Sequence, residues 1–160
     1  MGVWVYSEFH DANSETIMSH VQTQILSRIG VLLTGLTTTG LRVYQGSVHP
    51  ETPSSMPGLT YTVGSERPAG GDLQSTLKEF DLTLACYAAG DDWVVTNQVA
   101  LEVAAALYSN DATLNTLALS VVYGGSSREY RPGAAYRHTK LSVTYKLQYE
   151  TEDGKDGIAI

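Results

Sequence analysis

The sequence contains few of the residues that supply covalent or catalytic chemistry. Cys86 is the one cysteine among 160 residues, which excludes an internal disulfide and a multi-cysteine metal site. It stands in an alternating apolar run, a setting that predicts a buried thiol. No stretch approaches the roughly 18 consecutive apolar residues of a membrane helix, and residues 1–11 lack the basic n-region of a signal peptide. We therefore expect a soluble protein made in a reducing compartment.

Charged residues are also scarce, and their signs are unevenly distributed. They make up 17% of the chain, against roughly 25% in an average soluble domain. Residues 1–111 hold four basic and twelve acidic residues, residues 112–146 five and one, and residues 147–160 one and four. The net charge of −7 argues against a generic binder of nucleic acid or anionic membranes. A basic segment on an acidic body suits head-to-tail contact between copies, although solvated surface charges are the alternative.

Two main helices are predicted from the spacing of apolar residues. The first follows the capping residues Asn13-Ser14-Glu15 and ends near Gly35. The second runs from about Trp93 to Tyr108, after the capping residues Gly90-Asp91-Asp92. Its single charged residue is Glu102. A helix that is apolar nearly all round needs cover on both sides, and in so small a domain another subunit is a candidate for the second cover.

Strands are predicted where apolar and polar residues alternate, at 41–44, 59–63, 79–86, 117–123 and 141–150. Pro68 and Gly70-Gly71 predict a flexible loop at 64–71. Gly124-Gly125 opens a Gly-rich arm at 124–136, which is too long for a tight hairpin turn.

These elements predict an α+β fold in a single domain. We expect a mainly antiparallel sheet of four to five strands with the two main helices packed on one face. The expected domain spans residues 14–151, preceded by an N-terminal extension at 1–13. Residues 152–160 are predicted to be a flexible acidic C-terminal tail.

Motifs of catalysis and metal binding are missing from the sequence. It contains no G-x-S-x-G, H-E-x-x-H or C-x-x-C pattern, and neither glycine pair resembles a phosphate loop. The best metal candidates are Glu8, His10, Asp11 and His20, which lack the tight spacing of a metal site. We expect no enzyme activity, no catalytic residue, no metal and no cofactor. A small bacterial α+β binding module or enzyme is the alternative from another class.

One stretch resembles a known family. It is Leu41-Arg42-Val43-Tyr44-Gln45-Gly46-Ser47-Val48-His49-Pro50, followed by Met56-Pro57-Gly58-Leu59-Thr60-Tyr61-Thr62-Val63. This strand, glycine, proline-containing loop and strand resemble a unit of the tail terminator (minor tail) proteins of long-tailed bacteriophages. With the element order, the resemblance covers roughly residues 14–151. The N-terminal extension and the acidic tail depart from the family pattern.

The resemblance implies a structural role in the virion. Such proteins form a hexameric ring that caps the head-proximal end of the tail tube, stops its polymerisation and offers a surface for head attachment. The implied partners are further copies, the tail tube protein, a head-tail connector or head-completion protein, and the tape-measure protein as a further candidate. DNA would pass through the lumen without specific binding. Assembly would take place in the host bacterial cytoplasm. A head-completion, connector or other tail-completion protein is the closest alternative.

The residues themselves indicate where copies could meet. The basic residues of the 112–146 segment are expected to contact acidic groups of a neighbour or of the tube. Arg and Tyr are favoured at binding hot spots, which adds residues of the two glycine-rich segments as anchors. The predicted interface residues are Arg67, Arg128, Tyr130, Arg131, Tyr136, Arg137 and Lys140.

Overall fold

The structure of the chain, a computed structural model, describes residues 20–46, 53–71, 75–90, 93–131, 137–152 and 155–159. Its helices are α1 (Val21–Leu33), α2 (Val94–Leu107) and α3 (Ala112–Leu117). Its strands are β1 (Val43–Gln45), β2 (Gly58–Gly71), β3 (Ser75–Ala89), β4 (Ser120–Arg131), β5 (His138–Glu152) and β6 (Lys155–Ala159). The expected extension at 1–13, the expected caps Asp91 and Asp92, and the arm residues 132–136 lie outside the described residues.

The strands form one six-stranded sheet in the order β1-β2-β3-β5-β4, with β6 paired to β5. β1 runs parallel to β2, and the remaining pairs are antiparallel. The predicted α+β class is confirmed, with the difference that the sheet is mixed. β1 and β4 lie at opposite ends of this order and are the edge strands of the described sheet.

The centre of the sheet supplies most of the core. Phe80, Leu82 and Leu84 on β3 are fully buried, as are Leu147 and Tyr149 on β5. The register pairs β3 and β5 residue by residue without a bulge, so these five side chains share one face. This face, which α1 and α2 cover, is called the inner face below, and the opposite one the outer face. The period-two alternation of the sequence thus predicts these two strands correctly.

α1 lies against β2 on the inner face. It buries Val21, Ile25, Ile29 and Leu33 at the spacing of an amphipathic helix. Gly30 makes the closest approach, because a Cβ added there would lie 2.5 Å from Oη of Tyr61. The helix therefore packs against the tyrosine at a position where there is no room for a side chain.

Asp111 connects α1 with α3. Its carboxylate accepts the N–H of Leu114 at 2.8 Å, as an N-cap does, and also accepts from Arg28 at 2.9 and 2.6 Å. The hydrogen bond from Arg28 is the main cause that lowers the pKa of Asp111 to about 2. One carboxylate thus caps a helix and anchors its neighbour.

The two glycine-rich segments differ from their prediction as loops. Residues 64–71 continue β2, which pairs as far as Gly71 with β3, and residues 124–131 continue β4 alongside β5. Bulges accommodate the irregular residues, between Val63 and Glu66 and between Pro68 and Gly70 in β2, and between Tyr123 and Gly125 in β4. Proline is tolerated because β1 does not extend this far along β2, which leaves Pro68 at the sheet edge.

The C-terminal residues also differ from their prediction. In place of the expected flexible tail, residues 155–159 form β6, which pairs with Thr151 and Glu152 of β5. The signal for this strand is weak because Lys155-Asp156-Gly157 reads as polar turn sequence. Backbone pairing to the long β5 overrides that local preference.

Candidate assembly interface

α2 turns an apolar stripe toward solvent. Val94 and Leu101 are each 66% exposed and Tyr108 is 52% exposed, whereas Val99 and Val103 on the opposite side are buried. A single soluble domain seldom leaves such a stripe uncovered. The predicted near-neutral helix is therefore confirmed, with one apolar side turned outward.

Glu102 does not make this stripe polar. Its carboxylate accepts the N–H of Thr38 at 2.9 Å, the hydroxyl of the same residue, and the amide of Gln98 at 3.0 Å. Desolvation opposes ionisation here, but these hydrogen bonds hold the pKa of Glu102 below its usual value. The charge of α2 is thus used within the chain, to hold the turn that follows α1.

A groove of about 400 Å³ lies between α2 and the inner face of β4 and β5. Tyr145 stands at its base, with ring centroids 6.0 Å from Tyr108 and 5.9 Å from Tyr123 in edge-to-face geometry. Burial, as the main cause, raises the pKa of Tyr145 to about 12. Tyr123 is 53% exposed. The tyrosine groove, as we call it, is lined by Asn97, Ala100, Leu101, Ala104, Tyr108, Tyr123, Ser126, Arg128, Leu141, Val143 and Tyr145.

Arg128 provides the charge at this groove. It is exposed on β4, its Nη2 donates to Oδ1 of Asn97 at 3.4 Å, and its guanidinium lies 5.8 Å from the ring centroid of Trp93. Contact with the ring holds the cation against the start of α2 without neutralising it. The groove therefore combines aromatic surface with one accessible positive charge.

The other predicted basic residues do not share this surface. The register places Arg128 and Tyr130 opposite Leu141 and Thr139, on the inner side of the edge strand, whereas Lys140 belongs to the outer face. The Nζ of Lys140 lies 5.8 Å from the ring of Tyr87 on that face. The basic segment is therefore divided between two faces of the sheet.

Two predicted residues, Arg131 and Arg137, lie directly before and after residues 132–136, which are outside the described ranges. Arg137 is exposed, and its carbonyl oxygen accepts the N–H of Gly90 at 2.8 Å. The backbone of Arg131 ends β4, while Tyr136 lies outside the described residues.

Arg67 lies on the outer face of β2, not on the flexible loop that the sequence predicts. Its guanidinium is 2.6 Å from a carboxylate oxygen of Glu79 and 3.1 Å from one of Asp81. The hydrogen bond to Asp81 is the main cause that raises the pKa of Arg67. Gln148, through a hydrogen bond, is the main cause that lowers the pKa of Glu79. Arg67 thus takes part in a polar network across three strands of its own sheet.

A second groove, of about 690 Å³, lies beside α1 at the β1 end of the sheet. Its lining is more polar, with Thr23, Ser27 and Thr34 from the helix and Gln45 from the edge strand. Tyr61 forms part of it, and burial raises the pKa of this tyrosine. The two ends of the sheet therefore carry grooves of different chemistry.

Metal ligands and a reactive thiol would be needed for the alternative based on metal or thiol chemistry, and the described residues give it little support. No group of three His, Cys, Asp or Glu side chains in the described ranges could hold a metal ion. Glu8, His10 and Asp11 lie outside those ranges, and Nδ1 of His20 accepts the N–H of Gln22 at 3.1 Å as the cap of α1. Cys86 is buried as predicted, and desolvation raises its pKa to about 12, which suppresses the nucleophilic thiolate.

The groove residues Leu101, Tyr108 and Tyr123 are the ones that the residue-level prediction missed. The available signals were the ten tyrosines against two phenylalanines and the near-neutral second helix. Neither signal identifies which tyrosines meet, because Tyr108 and Tyr123 are brought together only by the packing of α2 on β5.

No family model and no curated protein matches the chain. No described helix is long and apolar enough to cross a membrane. Among solved structures, the chain matches one in the virion of a native gene transfer agent (GTA) particle. That match has a TM-score of 0.51 and 14% sequence identity, and it covers 84% of this chain and 94% of the other. At this identity the likeness shows a shared fold, and its coverage shows that the fold is shared over nearly the whole of both chains.

Proposed function

We propose that this chain is a structural virion protein that serves as a tail terminator. In this role a hexameric ring caps the head-proximal end of a phage tail tube, stops tube polymerisation and offers a surface for head attachment. The observation that carries the proposal is the fold shared with a chain of the GTA virion over nearly the full length of both. The resemblance of residues 41–63 to tail terminators supports the finer assignment.

The exposed surface of α2 supports a role in assembly. An aromatic side chain has about 150–250 Å² of surface, so Tyr108 and Tyr123, 52% and 53% exposed, together present roughly 200 Å². Val94 and Leu101, on the same helix side as Tyr108, bring the apolar area toward the range of about 300–600 Å² that is often functional on a monomer. This surface suits the centre of a protein interface.

A closed ring needs two different surfaces on each subunit, because one face of a copy meets another face of the next. The tyrosine groove beside β4 and the more polar groove beside β1 lie at opposite ends of the sheet. This placement suits contact with neighbours on both sides. The proposed partners are further copies, the tail tube protein, and a connector or head-completion protein, with the tape-measure protein as an additional one.

The acidic character of the chain fits a lumen through which DNA passes. A net charge of −7 disfavours binding to phosphates, which basic proteins achieve by releasing counterions. We therefore expect DNA to pass through the lumen without specific binding. The assembled protein would be located in the virion after assembly in the host cytoplasm.

The test is the mass of the chain and the length of tail tubes formed with it. The chain is mixed with the tube protein of its own particle, mass is followed by light scattering, and tube lengths are read by electron microscopy. We expect the chain to join tube ends as a ring and to limit tube length. Leu101→Asp should weaken this effect because it buries a charge in the apolar contact. Thr116→Asp, at an exposed position on α3 away from the groove, is the matched control.

Two results would redirect the proposal. A chain that leaves tube length unchanged but joins heads to finished tails would be a connector or head-completion protein. A strict monomer that associates with neither tubes nor heads would contradict a virion role.

A further inference from the structure

The outer edge of β4 is open to strand pairing. Within the described ranges β4 pairs with β5 alone, over its whole length from Ser120 to Arg131. An edge of this length presents a row of backbone N–H and C=O groups to any extended segment that reaches it. Added strands of this kind draw affinity from backbone hydrogen bonds and specificity from alternate side chains.

The inner side of this edge has a definite order of side chains. Tyr123, Ser126 and Arg128 lie opposite Tyr145, Val143 and Leu141 of β5, which are two residues apart from one to the next. An added strand would therefore meet aromatic surface at one position, a small polar residue at the second and a cation at the third. All three belong to the lining of the tyrosine groove.

The N-terminal segment carries a complementary order. Trp4, Tyr6 and Glu8 are spaced two residues apart, the spacing at which side chains of a strand share one side. Residues 1–19 contain three acidic residues and no lysine or arginine. Parallel alignment with β4 brings Trp4 to Tyr123, Tyr6 to Ser126 and Glu8 to Arg128, whereas antiparallel alignment places the acid beside aromatic surface.

We propose that residues 3–8 of a neighbouring copy add to the edge of β4 as a parallel strand, with Glu8 paired to Arg128. The inference rests on the proposed ring, in which copies are adjacent. Each chain has one such segment and, among its described strands, one such edge, so every copy gives and receives once, as a closed heterologous assembly requires. Eleven residues separate Glu8 from His20, and at about 3.3–3.6 Å per residue they span up to about 40 Å, enough to reach another subunit.

The test joins two full-length chains covalently. Tyr6→Cys is made in one chain and Ser126→Cys in another, and the two are mixed with a short thiol crosslinker, alone and in the presence of tail tube protein. We expect a crosslinked dimer in the mixture, several-fold above each variant by itself. Cys86 is buried in both variants and in the wild type. The wild-type chain, which has no added cysteine, serves as the background control.

Charge exchange then tests the ion pair. Glu8→Arg and Arg128→Glu should each lower the crosslinked yield about tenfold, as for a close interfacial charge pair, and the two together should restore it. Control reversals are Glu15→Arg, outside the paired stretch, and Lys140→Glu, on the outer face.

Three outcomes would overturn the inference: no crosslink in either condition, no rescue by the double exchange, or no more crosslinked dimer in the mixture than in each variant by itself. Tube length is measured in the same samples. Tubes of limited length without the crosslink would leave the proposed function intact and remove the strand addition. A crosslink between chains without an effect on tube length would leave the strand addition intact and remove the proposed function.

Discussion

Replacing Gly30 with alanine tests how closely α1 approaches the sheet. An added Cβ would lie 2.5 Å from Oη and 3.4 Å from Cζ of Tyr61, which is 8% exposed, so the tyrosine ring must shift to accommodate it. Overpacking costs about 1–3 kcal/mol, whereas alanine gains about 1 kcal/mol over glycine inside a helix. We therefore expect Gly30→Ala to lower the free energy of unfolding by about 1 kcal/mol.

Tyr61→Phe supplies the matched background, because it removes the oxygen that the new methyl group meets. The nearest remaining atom would then lie 3.4 Å from the Cβ, so Gly30→Ala should raise stability there by up to about 1 kcal/mol. Urea unfolding of the four chains, followed by circular dichroism at constant m-value, gives the coupling energy, expected near 2 kcal/mol. Equal effects of Gly30→Ala in both backgrounds would refute the reasoning.

Three further predictions concern single side chains. Asp111 has a folded pKa of about 2, below the usual 3.8, so its contribution to stability is complete above about pH 4 and is lost as the pH falls through 2. Acid titration of unfolding should show a smaller loss in Asp111→Asn than in the wild type, because Glu79 and Glu102, whose pKa values are also lowered, titrate in both chains. Cys86, with its pKa raised to about 12, should react with a thiol reagent at pH 8 only as fast as the chain unfolds, and faster labelling in native buffer would contradict its burial. Arg67→Met should lower the melting temperature through loss of the pairs with Glu79 and Asp81 and leave assembly on tubes unchanged, whereas a loss of assembly would support the predicted interface role of Arg67.

The sequence predicts the elements whose pattern is local and strong. β3 and β5 follow from unbroken alternation around Phe80 and Tyr145, and α2 from its apolar run. It misjudges the glycine-rich parts of β2 and β4, because local turn preference at Gly70 or Gly125 is overridden by long-range pairing with β3 and β5. Bulges let these glycines, both with positive φ, remain within a strand.

The candidate site can likewise be predicted from the sequence only where the pattern is local. Composition and the near-neutral α2 predict a surface reserved for contact, and Arg128, one of the predicted interface residues, lies beside the start of that helix. The tyrosine groove itself cannot be read from the sequence, because Tyr108, Tyr123 and Tyr145 come from three elements that only the tertiary packing brings together. Arg67 is of a residue type favoured at interfaces. The sequence does not show that it pairs with Glu79 and Asp81, because these residues lie on a different strand.

The difference between the two ends of the sheet determines where copies of this chain can associate by strand pairing. At the β1 end, two bulges and Pro68, which has no N–H to donate, interrupt the backbone that another strand would need. At the β4 end the backbone is continuous apart from one bulge. Growth of a sheet edge to edge into an amyloid-like fibre needs a receptive backbone at both edges, so the interruptions at the β1 end disfavour it. We therefore expect copies of this chain to resist edge-to-edge association at the β1 end, whereas the β4 end is the one suited to the proposed contact.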